Sequence, residues 1–411
     1  MTIATGKRPV WARSGSGRTG FRTSCAIRST HAVGDDQLMN DTPVQDRRFT
    51  ARRRADRLLS GGRPQTVRES LAELAALADG PYPLDEPTDL YGNGIVRTLE
   101  RRTAELLGKP DAAYFPTGTM AQQAALKTWA DTHGPVVAMH PLAHPEVHER
   151  RAHQVLSGLR SVPQATGPQQ PSAAQLAALD EPFDVLMLEL PLRDAGFLLP
   201  SWEELTALYD FAADRGLPVH LDGARLWESA PHLGRSLPEI CARAGSVYVS
   251  CYKSLGGHSG ALVAGEEEFV RRIKVWRHRY GGKLWQQWPA VLSALAGLDR
   301  ELPRLPAYVA HAKVVAAALA EAPGARINPE PPHTHQFQLW LPHPAEQLIE
   351  AGHRQAEEQG VSLFGGWWEP GPQPGAAMTE VTVAAAALEW SAKEVSGAMA
   401  DFLALLPPAA R

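Results

Sequence analysis

Six short apolar runs recur through the middle of the chain. They are AAYFP (Ala112–Pro116), VVAMH (Val136–His140), DVLMLEL (Asp184–Leu190), LPVHLD (Leu217–Asp222), SVYVS (Ser246–Ser250) and ALVAG (Ala261–Gly265). All are rich in Val, Leu and Ala with little polar alternation, the pattern of strands buried on both faces. Helical patterns lie between them at Ile95–Leu107, Ala121–Asp131, Pro200–Arg215 and Leu237–Ala244. Ser201 reads as an N-cap, with acidic residues in the turn that follows. Strands alternating with helices predict an α/β domain whose mostly parallel sheet is covered on both sides. In such a sheet, ligands bind beyond the carboxyl ends of the strands.

After Ala290 the pattern changes. Two Ala/Leu-rich helices (about Pro289–Leu302 and Ala307–Glu321) lead into strand candidates QFQLWL (Gln336–Leu341) and TEVTV (Thr379–Val383), and a helix over Ser391–Leu405 closes the chain. At 411 residues, two domains are the default. The expected division is a disordered tail over 1–48, an N-terminal segment over 49–88, a large domain over 89–295 and a small C-terminal α+β domain over 296–411.

The tail is distinctive. Before Gly34 it holds six basic residues (Lys7, Arg8, Arg13, Arg18, Arg22, Arg28) and no acidic one, among many Ser, Thr and Gly. Such a composition suits a transit peptide, but it equally suits a reading frame that begins at Met39. It has no apolar segment of the secretory kind. Residues 1–38 carry six positive and two negative charges, so a net charge of −4 becomes about −8 without them. That balance argues against nucleic acid as a partner. No apolar run approaches the ~20 residues of a membrane-spanning helix. Three cysteines (Cys25, Cys241, Cys251) in no paired framework point to a reducing, cytoplasmic setting, and no metal-ligand spacing is present.

Two segments carry chemistry. HLDGARLW (His220–Trp227) ends a predicted strand, and SCYKSLGG (Ser250–Gly257) follows the next. Asp222 alone reads equally as a helix cap. Paired with Lys253 it suggests pyridoxal 5'-phosphate (PLP): a carboxylate that keeps the pyridine nitrogen protonated, and a lysine that forms the Schiff base. Lys253 sits in a small, nearly uncharged run, where desolvation lowers an amine's pKa and makes it nucleophilic. Arg225 lies on the face of Asp222, suited to the ring edge or to a substrate carboxylate; a surface salt bridge is its other reading. Ser250 is a candidate for the phosphate or a hydroxyl closing a strand end. In YFPTGTMAQQAAL (Tyr114–Leu126), Gly118, Thr119 and Met120 open a helix, and free N–H groups there suit a phosphate. In PLAHPEVHERRAH (Pro141–His153), His144 is placed to stack on a ring, whereas His148 and His153 read as solvated.

Taken together, DLYGNGIVRTLERRTAELLGKPDAAYFPTGTMAQQAAL, the AH of His144, HLDGAR, and YKSLGG followed by VWRHRYGG resemble the threonine aldolase branch of the β-eliminating lyases. The resemblance covers about Asp89 to Asp299 and implies the aspartate-aminotransferase-like fold of PLP enzymes (fold type I). It implies Lys253 as the Schiff-base lysine, Asp222 as the pyridine partner, His144 as the stacking histidine and Gly118 with Thr119 as the phosphate turn. Arg225 becomes a ring or carboxylate contact. Tyr91 and Gly92 resemble a loop lining the neighbouring subunit's site, which implies a homodimer or a homotetramer made of two dimers. Three departures stand out. Where the family has Leu-Glu-Asn-Thr-His, this chain has LELPLRD, which keeps Glu189 and sets Leu190, Pro191 and Arg193 in the region of Asn, Thr and His. Trp285 replaces an expected arginine, with Lys283 nearby. Thr379 stands near the usual place of a carboxylate-binding arginine.

The expected activity is that of a lyase cleaving a β-hydroxy-α-amino acid to glycine and an aldehyde, with Lys253, His144 and Asp222 at the chemistry. Arg225, Arg193 and Tyr91 are the substrate-contact candidates. The β-hydroxyl proton would go to His144, His258 or a water. β-Elimination or transamination on the same scaffold, and a non-catalytic PLP-fold protein, are the alternatives. Trp285, Trp288, Trp367 and Trp368 read as core packing or as an aromatic pocket.

Overall fold

A computed structural model of the chain describes residues 42–371 and 375–407, with side chains from Arg47 onward. The basic N-terminal segment, and with it the choice between a transit peptide and a start at Met39, lies outside the described residues.

All six apolar runs are strands of one seven-stranded sheet. They form β1 (Asp111–Phe115), β2 (Val136–Met139), β4 (Val185–Glu189), β5 (Val219–Gly223), β6 (Ser246–Ser250) and β7 (Ala261–Gly265). The seventh, β3 (Arg160–Pro163), was not expected. The spatial order is β1-β7-β6-β5-β4-β2-β3. Neighbours from β6 through β3 run parallel, and β7 alone runs against both of its neighbours. β4, β5 and β6 are buried at every position, which is why their sequences show no alternation.

Helices cover both faces. α1 (Thr42–Arg54) begins the described chain, and α2 (Ile95–Leu107) matches its predicted bounds. α3 (Gly118–His133) starts three residues earlier than its pattern, because Thr117 caps it by accepting the N–H of Met120. α4 (Trp202–Asp214) opens with a reciprocal capping box between Ser201 and Glu204. α5 (Glu267–Arg279), α6 (Trp288–Glu301) and α7 (Leu305–Ala320) follow, so the expected domain boundary at 295/296 falls inside a helix.

The small domain has a four-stranded antiparallel sheet. Its strands are β8 (Arg326–Asn328), β9 (Gln336–Leu341), β10 (Glu369–Pro370) and β11 (Ala377–Thr382), in the order β10-β11-β9-β8. α8 (Ala345–Gln359) and α9 (Ala392–Ala404) pack with it. The N-terminal segment belongs with these elements. Arg57 and Leu58 pair in parallel with Val361 and Ser362, and buried Arg52 donates to the carbonyls of Ser60, Gly62 and Phe364 and to Ser362 Oγ. Residue 48, the expected end of the tail, lies inside α1.

Candidate active site

Strand register assembles the site. Glu189 of β4 stands opposite Asp222 of β5, and Asp222 opposite Tyr248 of β6. Directly paired residues point to the same face, so two carboxylates and a phenol line up at the carboxyl ends of three adjacent strands. Asp222 is 1% exposed; its Oδ1 accepts the N–H of Ala224 at 3.1 Å and its Oδ2 has no partner. Burial raises the pKa of this carboxyl, and the charge of Lys253 opposes the rise. Glu189 is pushed up to about 8, first by burial and then by the charge of Asp222. Its two oxygens accept the backbone N–H groups of His144 (2.7 Å) and Arg193 (3.1 Å).

Lys253 follows β6 by three residues, in a turn closed by bonds from Cys251 N to Gly260 O and from Gly257 N to Cys251 O. A Cβ on Gly257 would meet Cys251 O at 2.7 Å and the Ala294 backbone at 3.2 Å, so the small-residue run lets the turn pack against α6. Burial brings the Lys253 amine down to about 8; the charges of Arg225 and Arg193 add to this, while Asp222 and Glu189 resist. The amine of this half-buried lysine thus titrates nearer to neutral pH than an ordinary lysine's.

One cleft of about 280 Å³ brings together Gly118, Thr119, His144, Asp222 and Lys253, which are up to 135 residues apart in sequence. Gly118 and Thr119 lie in the first turn of α3, where N–H groups have no intrahelical acceptor. A side chain at Gly118 would bring its Cβ to 2.3 Å from the Tyr248 hydroxyl, so only glycine fits between helix and sheet. His144 begins a short helical turn after β2. Its Nδ1 is 3.4 Å from Glu149 Oε1, and its ring centroid is 5.2 Å from that of His148.

Other expected residues stand elsewhere. Met120 spends its N–H on the Thr117 cap, and its sulfur occupies the space beside Gly282, so of the three only Gly118 and Thr119 line the cleft. Ser250 is fully buried; its hydroxyl accepts the N–H of Tyr252 and is not on the cleft. Arg225 and Arg193 do not line the cleft walls, although both act electrostatically on Lys253. Tyr91, in the left-handed backbone region (φ 56°), is half exposed against Trp285 and outside this cleft. His153 is fully buried beside Glu146 and His148 is bonded to Asp194, so neither is the solvated histidine expected. Trp368 packs in the core, whereas Trp285 and Trp367 are exposed. Sequence reasoning missed Glu149, Gln122, Tyr248, Tyr252 and Ser259, all on the cleft. Strand register places Tyr248 and helix phase places Gln122, whereas Glu149, Tyr252 and Ser259 lie in bends that no motif marks.

The residues fit PLP. Asp222 Oδ2, buried and unpartnered, is an acceptor waiting for a cationic N–H; Lys253 offers the amine; the start of α3 offers the anion site. Fold and cleft together define a PLP-dependent enzyme of fold type I. Residues 87–340 match the β-eliminating lyase family, and the chain belongs to it. It is 30% identical to the low specificity L-threonine aldolase of Escherichia coli, over 63% of this chain and 79% of that one. It is 25% identical to the low-specificity L-threonine aldolase 1 of Arabidopsis thaliana, over 66% and 78%. A structure from Listeria monocytogenes ascribed to an L-allo-threonine aldolase superposes with a TM-score of 0.80 at 33% identity, covering 88% of this chain and all of that one.

Proposed function

We propose that the protein is a lyase that cleaves a β-hydroxy-α-amino acid between Cα and Cβ, giving glycine and an aldehyde. The observation that carries this reading is the convergence of Lys253, Asp222, His144 and the first turn of α3 on one cleft. Bound there, PLP supplies the sink for the electron pair left at Cα when the bond breaks.

The chain's own residues do the rest. Gly118 and Thr119 hold the phosphate through backbone N–H groups. Asp222 fixes the pyridine nitrogen in its protonated form and is itself held by the N–H of Ala224. His144 has Nδ1 turned toward Glu149, which leaves Nε2 to take the β-hydroxyl proton, and the acid behind it stabilises the charged ring. Lys253, its pKa brought down to about 8, has a free-amine fraction that captures the cofactor and an ammonium form that donates the proton to Cα after cleavage. The family resemblance and its named threonine aldolases support retro-aldol cleavage over β-elimination.

Tyr91 supports a shared site. Exposed and outside its own cleft, it is free to line that of a second copy in a homodimer or a pair of dimers. The buried thiols of Cys241 and Cys251 suit a reducing, cytoplasmic setting. The deciding experiment incubates PLP-loaded protein with threonine and with β-phenylserine. Acetaldehyde or benzaldehyde in step with glycine is the expected result. Ammonia with 2-oxobutanoate from threonine would replace the retro-aldol reading with β-elimination.

A further inference from the structure

A carboxylate-bearing substrate needs a cation near Lys253, and the small domain does not provide one. The facing strands β9 and β11, QFQLWL and AMTEVT, contain no basic residue and instead present Glu380. The cations come from the large domain. Arg225 is half-buried, with its guanidinium 5.2 Å from the centre of the Phe197 ring and its buried Nε without a partner. Arg193, four residues beyond Glu189, reaches across the domain boundary; its Nη2 binds Glu380 Oε1 at 2.8 Å and its Nη1 binds Asp194 Oδ1 at 3.1 Å. Arg193 Nη1 also lies 3.2 Å from His148 Nε2, and the His148 ring stands 5.2 Å from that of His144 on the cleft wall, so the guanidinium sits just behind the cleft; both arginines act on the Lys253 amine, and Glu380 acts on both arginines.

We propose that Arg193 is the anchor for the substrate's α-carboxylate and that Glu380 is its resident counter-ion, exchanged for the substrate on binding. The inference rests on the amino-acid reading above. Three physical points carry it. Exchanging one carboxylate for another keeps the Arg193 guanidinium paired throughout, and the displaced Glu380, whose side chain is 25% exposed, can turn to solvent. The planar guanidinium accepts the incoming carboxylate in the geometry it already offers Glu380. The backbone of Arg193 is fixed by its N–H bond to Glu189, the residue paired with Asp222, so the anchor is tied to the strand ends that position the cofactor.

An ion pair that merely braces the two domains would respond alike to loss of either partner, whereas a displaceable counter-ion makes the two losses opposite in sign. The test is a glycine titration of the PLP-loaded protein followed by visible absorbance, with methylamine as the amine lacking a carboxylate. Arg193→Met should weaken glycine binding by about tenfold or more, the effect of losing a charged hydrogen bond. Arg193→Lys should recover part of it. Glu380→Gln should tighten glycine binding by about threefold or more, since a charged competitor for Nη2 is then gone while Asp194 still holds Nη1. Methylamine binding should move in none of these variants. Weakening by both Arg193→Met and Glu380→Gln, or equal effects on methylamine, would overturn the proposal. Should Arg193→Met fail to fold, Glu380→Gln decides alone, and glycine binding that is not tightened sinks the idea. Wild-type protein that binds glycine through Arg193 but cleaves no β-hydroxy amino acid would defeat the retro-aldol reading and leave this anchor standing. Protein that cannot load PLP would defeat both.

Discussion

Lys253 carries the main charge conflict of the cleft: an ammonium with little water around it and two arginines nearby. With the folded-state amine near 8 and an ordinary lysine at 10.5, the unfolded chain binds more protons between those values, and stability attributable to this group rises with pH across that window. The same shift sets reactivity. The rate at which the apoprotein captures PLP should climb about tenfold per pH unit below the midpoint and level off above about 8, as stopped-flow absorbance would record. Lys253→Ala should abolish the visible band altogether. Gly118 is the other single-residue test. Gly118→Ala drives a methyl into the Tyr248 hydroxyl, an overpacking that costs about 1–3 kcal/mol and displaces the start of α3. PLP affinity, read by equilibrium dialysis, should fall about tenfold or more, and adding Tyr248→Phe should restore much of it. Lys253, Asp222 and Gly118 were legible because each sits in a short unusual run. Gln122 was not, because an amide on a helical pattern has the look of an ordinary polar position until the packing of that helix is known, and Glu149 was not, because it lies in a bend between two short helical turns.

Between elements, a buried polar chain joins α3 to the sheet. Trp129 Nε1 donates to Ser246 Oγ at 2.8 Å, the Ser246 hydroxyl lies 2.8 Å from His220 Nδ1, and His220 Nε2 lies 2.7 Å from Gln122 Oε1. Only one proton arrangement satisfies all of them: Ser246 donates to Nδ1, and Nε2–H donates to Gln122. Burial takes the His220 pKa down to about 3, so this neutral tautomer persists through the working range. His220 shares its strand face with Asp222, so the chain sets the height of the α3 first turn above the cofactor's partner. Ser246→Ala leaves an indole N–H and a ring nitrogen unsatisfied and should cost about 2–4 kcal/mol in chemical denaturation. The element pattern was readable where burial is two-sided, as in β4 to β6. It failed at β3, an edge strand that starts with an exposed arginine and ends in proline. It also failed at α8, whose sequence AEQLIEAGHRQAEEQ buries only a narrow apolar stripe, and at α1, where TPVQDRRFTARRR shows almost none. Those helices are held by partners far away in sequence.

At the scale of the whole molecule, the small domain is assembled from both ends of the described chain. Buried Arg52 is the fastening, with three carbonyls and a hydroxyl around one guanidinium. Arg52→Met strips all of these acceptors and should lower the melting temperature by several degrees, at roughly 2–4 kcal/mol. Arg47, paired with Glu350 and Glu357 where all three side chains are substantially exposed, should tolerate Ala with a change within about 1 kcal/mol. A shared site adds a further expectation: mixing Lys253→Ala with Tyr91→Ala subunits should restore activity that neither has alone, because one mixed site then holds an intact lysine and a partner's intact tyrosine. The two-residue ribbon of Arg57–Leu58 with Val361–Ser362 also sets an order of events during synthesis. It joins positions about 300 residues apart, which a ribosome takes about 15–60 s to cover. For that interval the backbone of Leu58 and Leu59 has no strand partner, and Leu58 lacks Ala356 of its apolar cluster, while the strands of the large sheet have all been made. A nascent chain halted before Val361 would therefore hold every residue of the cleft while the Arg57–Leu58 ribbon still waited for its partner, a state that chaperones would protect.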